Sequence, residues 1–205
     1  MKFDKLIIFG AGAVGSNILL NVIRDLPDVE VFIVDYDKVE QRNYTAGTQP
    51  YTKNDLNKFK VQALQLIAYN QSGNRIKFFN QKINSQKDIT DLIQKTQYKT
   101  GILVVDGFDN AESRNLFFNL KLKNCHVMKA GFNPNMSAAI VWEGQWEPMS
   151  EDPSLKDFDI CAQQGARSFI MSFTSIASMI INDFYFEDKK KSLYFDKNYN
   201  FRIMK

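Results

Sequence analysis

Apolar positions along the chain follow two alternating periods. Leu6-Ile7-Ile8-Phe9 and Ile102-Leu103-Val104-Val105 are continuous apolar runs with the length of strands buried on both faces. Val29 to Val34 and Arg75 to Asn80 read as further strands, followed later by Cys125 to Ala130 and Ser137 to Trp142. Between these runs, apolar residues recur at helical spacing. Ile18, Leu19, Leu20, Val22 and Ile23 mark a first helix. Val61, Leu64, Ile67 and Ala68 mark a second, predicted over Leu56 to Tyr69 and capped by Asn54-Asp55, with Lys60 in its first turns. Ile89, Leu92 and Ile93 place another over Asp88 to Lys95, and Leu116, Phe117 and Leu120 one more. A long apolar helix from about Gly165 to Phe184 follows, and then Leu193-Tyr194-Phe195 and Phe201-Arg202-Ile203 predict a closing hairpin. This order predicts an α/β fold, a doubly wound and mostly parallel sheet with right-handed crossovers, in one domain over residues 1–205. Glu147 to Ile160 is polar, proline-punctuated and without period, and reads as a crossing loop.

The first strand ends in Gly10-Ala11-Gly12-Ala13-Val14-Gly15. In such a turn Gly10 permits the tight bend, Gly12 lets the backbone approach a pyrophosphate, and Gly15 lets the new helix lie close to the strand. Phosphates would sit at the helix N-terminus, where unpaired N–H groups and the dipole favour negative charge. Asp35 ends the second strand about 20 residues past the last glycine, where an acid grips a ribose hydroxyl in folds of this kind. The bland alternative is that the glycines serve helix packing alone.

Composition narrows the partners. With 205 residues, 44% of them hydrophobic, the chain can bury one substantial core. A net charge of +3, with basic residues scattered among acids, argues against a nucleic acid or membrane surface as partner. No signal peptide and no apolar run of about 18 residues is read, which predicts a cytoplasmic protein. Cys125 and Cys161 are too few for a zinc site and are expected as free thiols. His126 lies in a strand-like stretch and reads as a satisfied core or edge residue rather than a base.

Two further stretches carry candidate chemistry. Asp35 to Tyr44 is polar and is expected to run as a loop over the mouth of the nucleotide site. Asp106-Gly107-Phe108-Asp109-Asn110 follows an apolar strand, at the strand end where such sheets bind ligands. An acid facing bound phosphates makes electrostatic sense with Mg²⁺ between them; the competing reading makes Asp109 a helix N-cap.

Taken together, the glycine turn, Asp35-Tyr36-Asp37-Lys38-Val39-Glu40 with Asn43, Asp55-Leu56-Asn57-Lys58-Phe59-Lys60, and Asp106 to Asn110 with Arg114 resemble the ThiF/MoeB/HesA family, relatives of the ubiquitin-activating enzymes. Cys161-Ala162-Gln163-Gln164-Gly165 is similar to the cysteine-containing segment before that family's last long helix. The resemblance implies a Rossmann-like sheet of ThiF type and ATP with Mg²⁺ as cofactors. The implied reaction is adenylation, in which the C-terminal carboxylate of a ubiquitin-like modifier, sulfur-carrier protein or peptide attacks the α-phosphate. It further implies that Gly10, Gly12 and Gly15 seat the phosphates, that Asp35 holds the ribose, and that Asp37 and Asn43 complete the nucleotide set. Lys60 would neutralise charge at the phosphates and Asp109 would hold Mg²⁺. Cys161 is a candidate acceptor nucleophile, against a small buried hydrophobe at a helix entry, and a homodimer is expected.

The chain also departs from the family pattern. Where that pattern runs Asn-Leu-Asn-Arg-Gln, this sequence reads Asn43-Tyr44-Thr45-Ala46-Gly47-Thr48-Gln49, without the arginine. Arg42 or a partner's arginine are the substitutes considered. Two other functions compete with adenylation: a catalytically weak binding or scaffold subunit, and an NAD-dependent oxidoreductase sharing the glycine turn and Asp35.

Overall fold

The computed structural model describes residues 2–133, 135–145, 147, 148, 150, 160–198 and 200–204. The strands are β1 (Lys5–Phe9), β2 (Glu30–Asp35), β3 (Lys77–Asn80), β4 (Ile102–Asp106), β5 (Cys125–Asn133), β6 (Ser137–Trp142), β7 (Ser192–Asp196) and β8 (Phe201–Met204). They join one sheet in the order β3-β2-β1-β4-β5-β6-β7-β8. The first five in that order pair in parallel, and β5 through β8 continue as antiparallel neighbours. The expected doubly wound sheet, long C-terminal helix and closing hairpin are therefore present. The chain leaves β1 toward β2 and β3, then returns to pair β4 on the other side of β1. The strand order thus reverses between β1 and β4, and the crevice outside a parallel sheet's carboxyl ends lies there.

Strand alternation distributes the core. Leu6, Ile8, Val31, Ile33, Leu103 and Val105 point to one face, packed with α1 (Ala13–Asp25), α3 (Lys60–Ser72) and α6 (Ala166–Glu187). Ile7, Phe9, Phe32, Val34, Ile102 and Val104 point to the other, under α4 (Gln86–Lys95) and Phe117. Each such fully buried side chain contributes about 1.5–3 kcal/mol of transfer free energy. By length and composition alone α6 could cross a membrane, which corrects the reading that no apolar run is long enough. Its Phe169, Ile170, Phe173, Ala177, Ile181 and Phe184 are buried within this fold, and it is the core helix of the first face.

Several boundaries differ from expectation, for identifiable reasons. Asn54-Asp55 does not cap the long helix. Asp55 Oδ2 instead accepts from Thr52 N at 3.0 Å and Thr52 Oγ at 2.8 Å, closing a 3₁₀ turn at Lys53–Asp55. Asn57 then takes φ +66°, and an antiparallel bridge between Lys38 and Phe59 keeps the chain extended, so α3 starts at Lys60. The polar segment expected as loop contains a short helix, α2 (Gln41–Thr45), with reciprocal Glu40 and Asn43 capping bonds. The helix after β4, α5 (Ala111–Asn115), ends before Leu116. Much of the expected crossing loop, residues 151–159, lies outside the described residues.

Candidate nucleotide site

The glycine turn between β1 and α1 meets the end of β4 at the point of strand-order reversal. Gly107 N–H donates to Phe9 O at 2.9 Å, and Gly10 N–H donates to Val34 O at 2.8 Å, so three strand ends converge on one turn. The three glycines of the turn are not equivalent. Gly10 takes φ +94°, and a Cβ there would stand 2.8 Å from Gly107 O. A Cβ on Gly15 would fall 1.9 Å from Gly10 O. These two are required by the protein's own packing. A Cβ on Gly12 would meet nothing within 4 Å, so at that position glycine leaves open space beside the first turn of α1. A ligand approaching that helix N-terminus would use this space.

Asp35 ties the turn from β2. Its Oδ2 accepts from Ala11 N at 2.7 Å and its Oδ1 from Asp37 N at 2.8 Å. Burial pushes this carboxyl above the usual range, opposed by the nearby Lys60 ammonium. The Ala11 peptide is held at its other end too, because the buried Tyr51 hydroxyl donates to Ala11 O at 2.6 Å. Asn17, on α1, donates to Thr48 O at 2.8 Å. The segment from Thr48 to Tyr51 is thereby clamped to the glycine turn and the helix that follows it.

Lys60, the first residue of α3, is buried, and its Nζ pairs with Asp37 Oδ2 at 3.0 Å. The same bridge that delays the helix brings these two together, since Lys60 N–H also donates to Asp37 O at 2.8 Å. Asn43, on α2, is buried, and its Oδ1 accepts from Glu40 N at 2.8 Å.

The end of β4 carries a second charged group. Asp106 is fully buried; its Oδ1 accepts from Phe108 N at 3.0 Å, while its Oδ2 has no hydrogen-bond partner among the described residues. Burial raises this carboxyl, with Arg114 and Lys129 pulling the other way. Arg114 Nε donates to Phe108 O, and an Arg114 terminal nitrogen donates to Ala130 O at 3.1 Å. Phe108 is therefore gripped at its N–H by Asp106 and at its carbonyl by Arg114, which sets the path of the chain into Asp109. Gly131 makes room for the guanidinium: a Cβ there would lie 2.1 Å from Arg114 Nη2. Lys129 on β5 is buried in this group, and burial, followed by the like charge of Arg114, pulls its ammonium down to about 8. Asp109 is exposed and is not the N-cap of α5. Asn110 holds that place, its side chain accepting from Ser113 N at 2.8 Å.

Cys161 and Cys125 are not joined in a disulfide. Cys161 lies on a 3₁₀ turn, Ile160–Ala162, just before α6, partly buried against the larger core. Burial pushes Cys125 up to about 12, with Glu143 adding to the effect. His126 sits at the start of β5, the end of the sheet opposite the glycine turn, with Glu143 Oε1 at 3.3 Å and Lys190 Nζ at 3.0 Å from its Nδ1. It is a satisfied residue in a charged cluster, as expected.

The ThiF family model matches residues 1–182. The chain belongs to the ThiF family. No curated protein sequence matches it. Among solved structures, Escherichia coli MccB with succinimide is similar over 99% of this chain, with 16% identity and TM-score 0.71. MccB with ATP is similar over 99%, with 13% identity and TM-score 0.70. PaaA is similar over the whole chain, with 18% identity and TM-score 0.71. At these identities the likeness establishes the fold, and the chain spans about 64% of the length of MccB and PaaA.

Within this ThiF-family domain, the structure brings Gly10, Gly12, Gly15, Asp35, Asp37 and Lys60 into one connected group, with the Asp106–Asp109 loop against it. Asn43 stands on α2, its oxygen used in its own helix cap, and Cys161 stands at the entrance to α6. Sequence reasoning did not single out Tyr51, Lys129 or Gly131, because their contacts cross long stretches of chain. Asp106 had a legible signal, an acid ending a wholly apolar strand.

Proposed function

We propose that this chain is an ATP-dependent adenylating enzyme acting on the C-terminal carboxylate of a ubiquitin-like modifier, a sulfur-carrier protein or a peptide. The observation that carries the reading is the open space at Gly12, at the N-terminus of α1, with Asp35 and the Asp37–Lys60 pair beside the same turn. A phosphate chain on that helix terminus would put the ribose near Asp35, whose oxygens keep acceptor capacity beyond the two N–H groups they bind. MccB, a structural neighbour, has been crystallised with ATP, and with AMPCPP and MccA together, which supports a nucleotide and a second molecule meeting on this fold.

In the proposed reaction a carboxylate oxygen attacks the α-phosphorus. The new O–P bond forms as the bond to the bridging oxygen breaks, and pyrophosphate leaves with the electron pair. Lys60 would swing its ammonium from Asp37 toward the phosphates as charge builds in the transition state, while the α1 N–H groups hold the chain of phosphates. Asp109 suits a Mg²⁺ ion. Among the described residues no group of three His, Cys, Asp or Glu side chains could hold a metal. A lone carboxylate sharing the ion with substrate phosphates is a usual way of binding Mg²⁺, which would supply charge neutralisation there. Asp106 and Arg114 position that loop.

The exposed Met179 and Phe186 on α6 suit the proposed homodimer, which light scattering would test. A scaffold role is the second reading, favoured because Arg42, a substitute for the missing loop arginine, pairs with Glu40 Oε2 at 2.8 Å. Exchange of labelled pyrophosphate into ATP separates the two. An adenylating enzyme exchanges only when a carboxylate partner is present, and a scaffold does not exchange.

A further inference from the structure

Lys60 brings one ammonium to a phosphate chain in this crevice, but no guanidinium has yet been placed there. Arg42 pairs with Glu40. Arg114 is buried and donates to the Phe108 and Ala130 carbonyls. Arg24 donates to Gln71 O, and Arg75 lies over the Tyr69 ring. Arg167 differs from all of these. It is exposed in the first turn of α6 and pairs with no carboxylate among the described residues. Its Cδ lies 3.7 Å from where a Gly47 Cβ would stand. The residue after Gly47 is Thr48, whose carbonyl is held by Asn17, and Asn17 also donates to Ala13 O at 2.7 Å on the first turn of α1. The stem of Arg167 therefore runs beside a loop fastened to the same helix turn that faces the open space at Gly12.

We propose that Arg167 supplies the guanidinium for the phosphate chain, reaching across Gly47 from α6. It does so in place of an arginine from the Asn43–Gln49 loop, which has none. The inference rests on the nucleotide reading above. Glycine at 47 serves this arrangement through its φ of +67°, which makes the turn that brings the loop beside the arginine stem. A guanidinium suits the task because its forked N–H donors match phosphate oxygens in pairs, which a compact ammonium does not.

The test compares wild-type chain, Arg167→Ala and Arg167→Lys by equilibrium dialysis with labelled Mg-ATP and, separately, labelled adenosine. The expected result is that Arg167→Ala weakens Mg-ATP binding roughly tenfold to a hundredfold, the size of one charge-assisted hydrogen bond. Adenosine binding and the melting temperature should stay unchanged, and Arg167→Lys should recover part of the loss. Unchanged Mg-ATP affinity in Arg167→Ala would overturn the proposal. Equal losses for Mg-ATP and adenosine would also overturn it, because they would make the residue a structural one. A wild-type chain that binds neither would overturn the nucleotide reading itself, a failure visible before any variant is made.

Discussion

Lys60 is joined to Asp37 twice, by its backbone N–H to the Asp37 carbonyl at 2.8 Å and by its ammonium to the Asp37 carboxylate at 3.0 Å. The first bond fixes where α3 begins. The second stores a buried ammonium beside the glycine turn, paired with a carboxylate that is itself half exposed and free to rotate away.

Replacing Lys60 by Ala is expected to slow adenylate formation more than it weakens ATP binding, since the ammonium acts most strongly on charge that develops in the transition state. The loss should be about 2.7–4 kcal/mol, as for one preorganised donor. Single-turnover kinetics beside a binding titration would show it; equal losses would make Lys60 a ground-state contact.

Asp109→Ala should lower Mg-ATP affinity while leaving the fold intact, because Asp109 is exposed and Asn110, not Asp109, caps α5. The same titrations should show ATP binding tighter than NAD. Tighter NAD binding would return the chain to the oxidoreductase reading.

The turn glycines should separate stability from binding. Gly15→Ala forces a Cβ to 1.9 Å from a backbone carbonyl and should cost at least about 3 kcal/mol or prevent folding. Gly12→Ala meets nothing within 4 Å at an ordinary φ of −78°, so denaturant unfolding should change by no more than about 1 kcal/mol. Its Mg-ATP affinity should nonetheless fall sharply.

Lys129 makes stability depend on pH in the alkaline range. Its folded-state value of about 8 lies below the ordinary 10.5, so between these limits the unfolded chain binds more protons than the folded one. Stability should therefore rise as pH goes from 8 to 10.5, and the burial cost is felt in full below 8. Wild type minus Lys129→Met should show an extra rise on the order of 1–3 kcal/mol across that window. A flat difference would mean that Lys129 keeps its charge throughout.

Cys161→Ala is expected to retain carboxylate-dependent pyrophosphate exchange yet lose any reductant-sensitive conjugate with the carboxylate partner, whereas Cys125→Ala loses neither. Gel analysis with and without thiol reads this directly. A conjugate that survives in Cys161→Ala would remove the cysteine from the chemistry.

Much of the fold was legible in the sequence, because strand and helix leave different periods. Ile102 to Val105 reads as a strand covered on both faces, and Phe169, Ile170, Phe173 and Ile181 read as one apolar side of a long helix, buried or facing a partner, which the fold buries. The glycine turn was legible as well, since the spacing of Gly10, Gly12 and Gly15 is a local demand of the backbone. Helix starts were less so: Asn54-Asp55 has the chemistry of a cap, and only the Lys38–Phe59 bridge delays α3 to Lys60.

What the sequence determined by itself was everything set by neighbours a few residues apart: strand and helix identity, the glycine turn, and the acids that end β2 and β4. Tertiary structure alone decided the remainder. It assigned Gly10 and Gly15 to the protein's own packing and left the space at Gly12 open. It set Tyr51 on Ala11, Arg114 and Lys129 around Asp106, and Arg167 against Gly47. The physical reason is range. Dihedral preference and hydrophobic period act along the chain, whereas charge pairing and steric room depend on distances between residues far apart in it, which exist only after the sheet has brought its strand ends together.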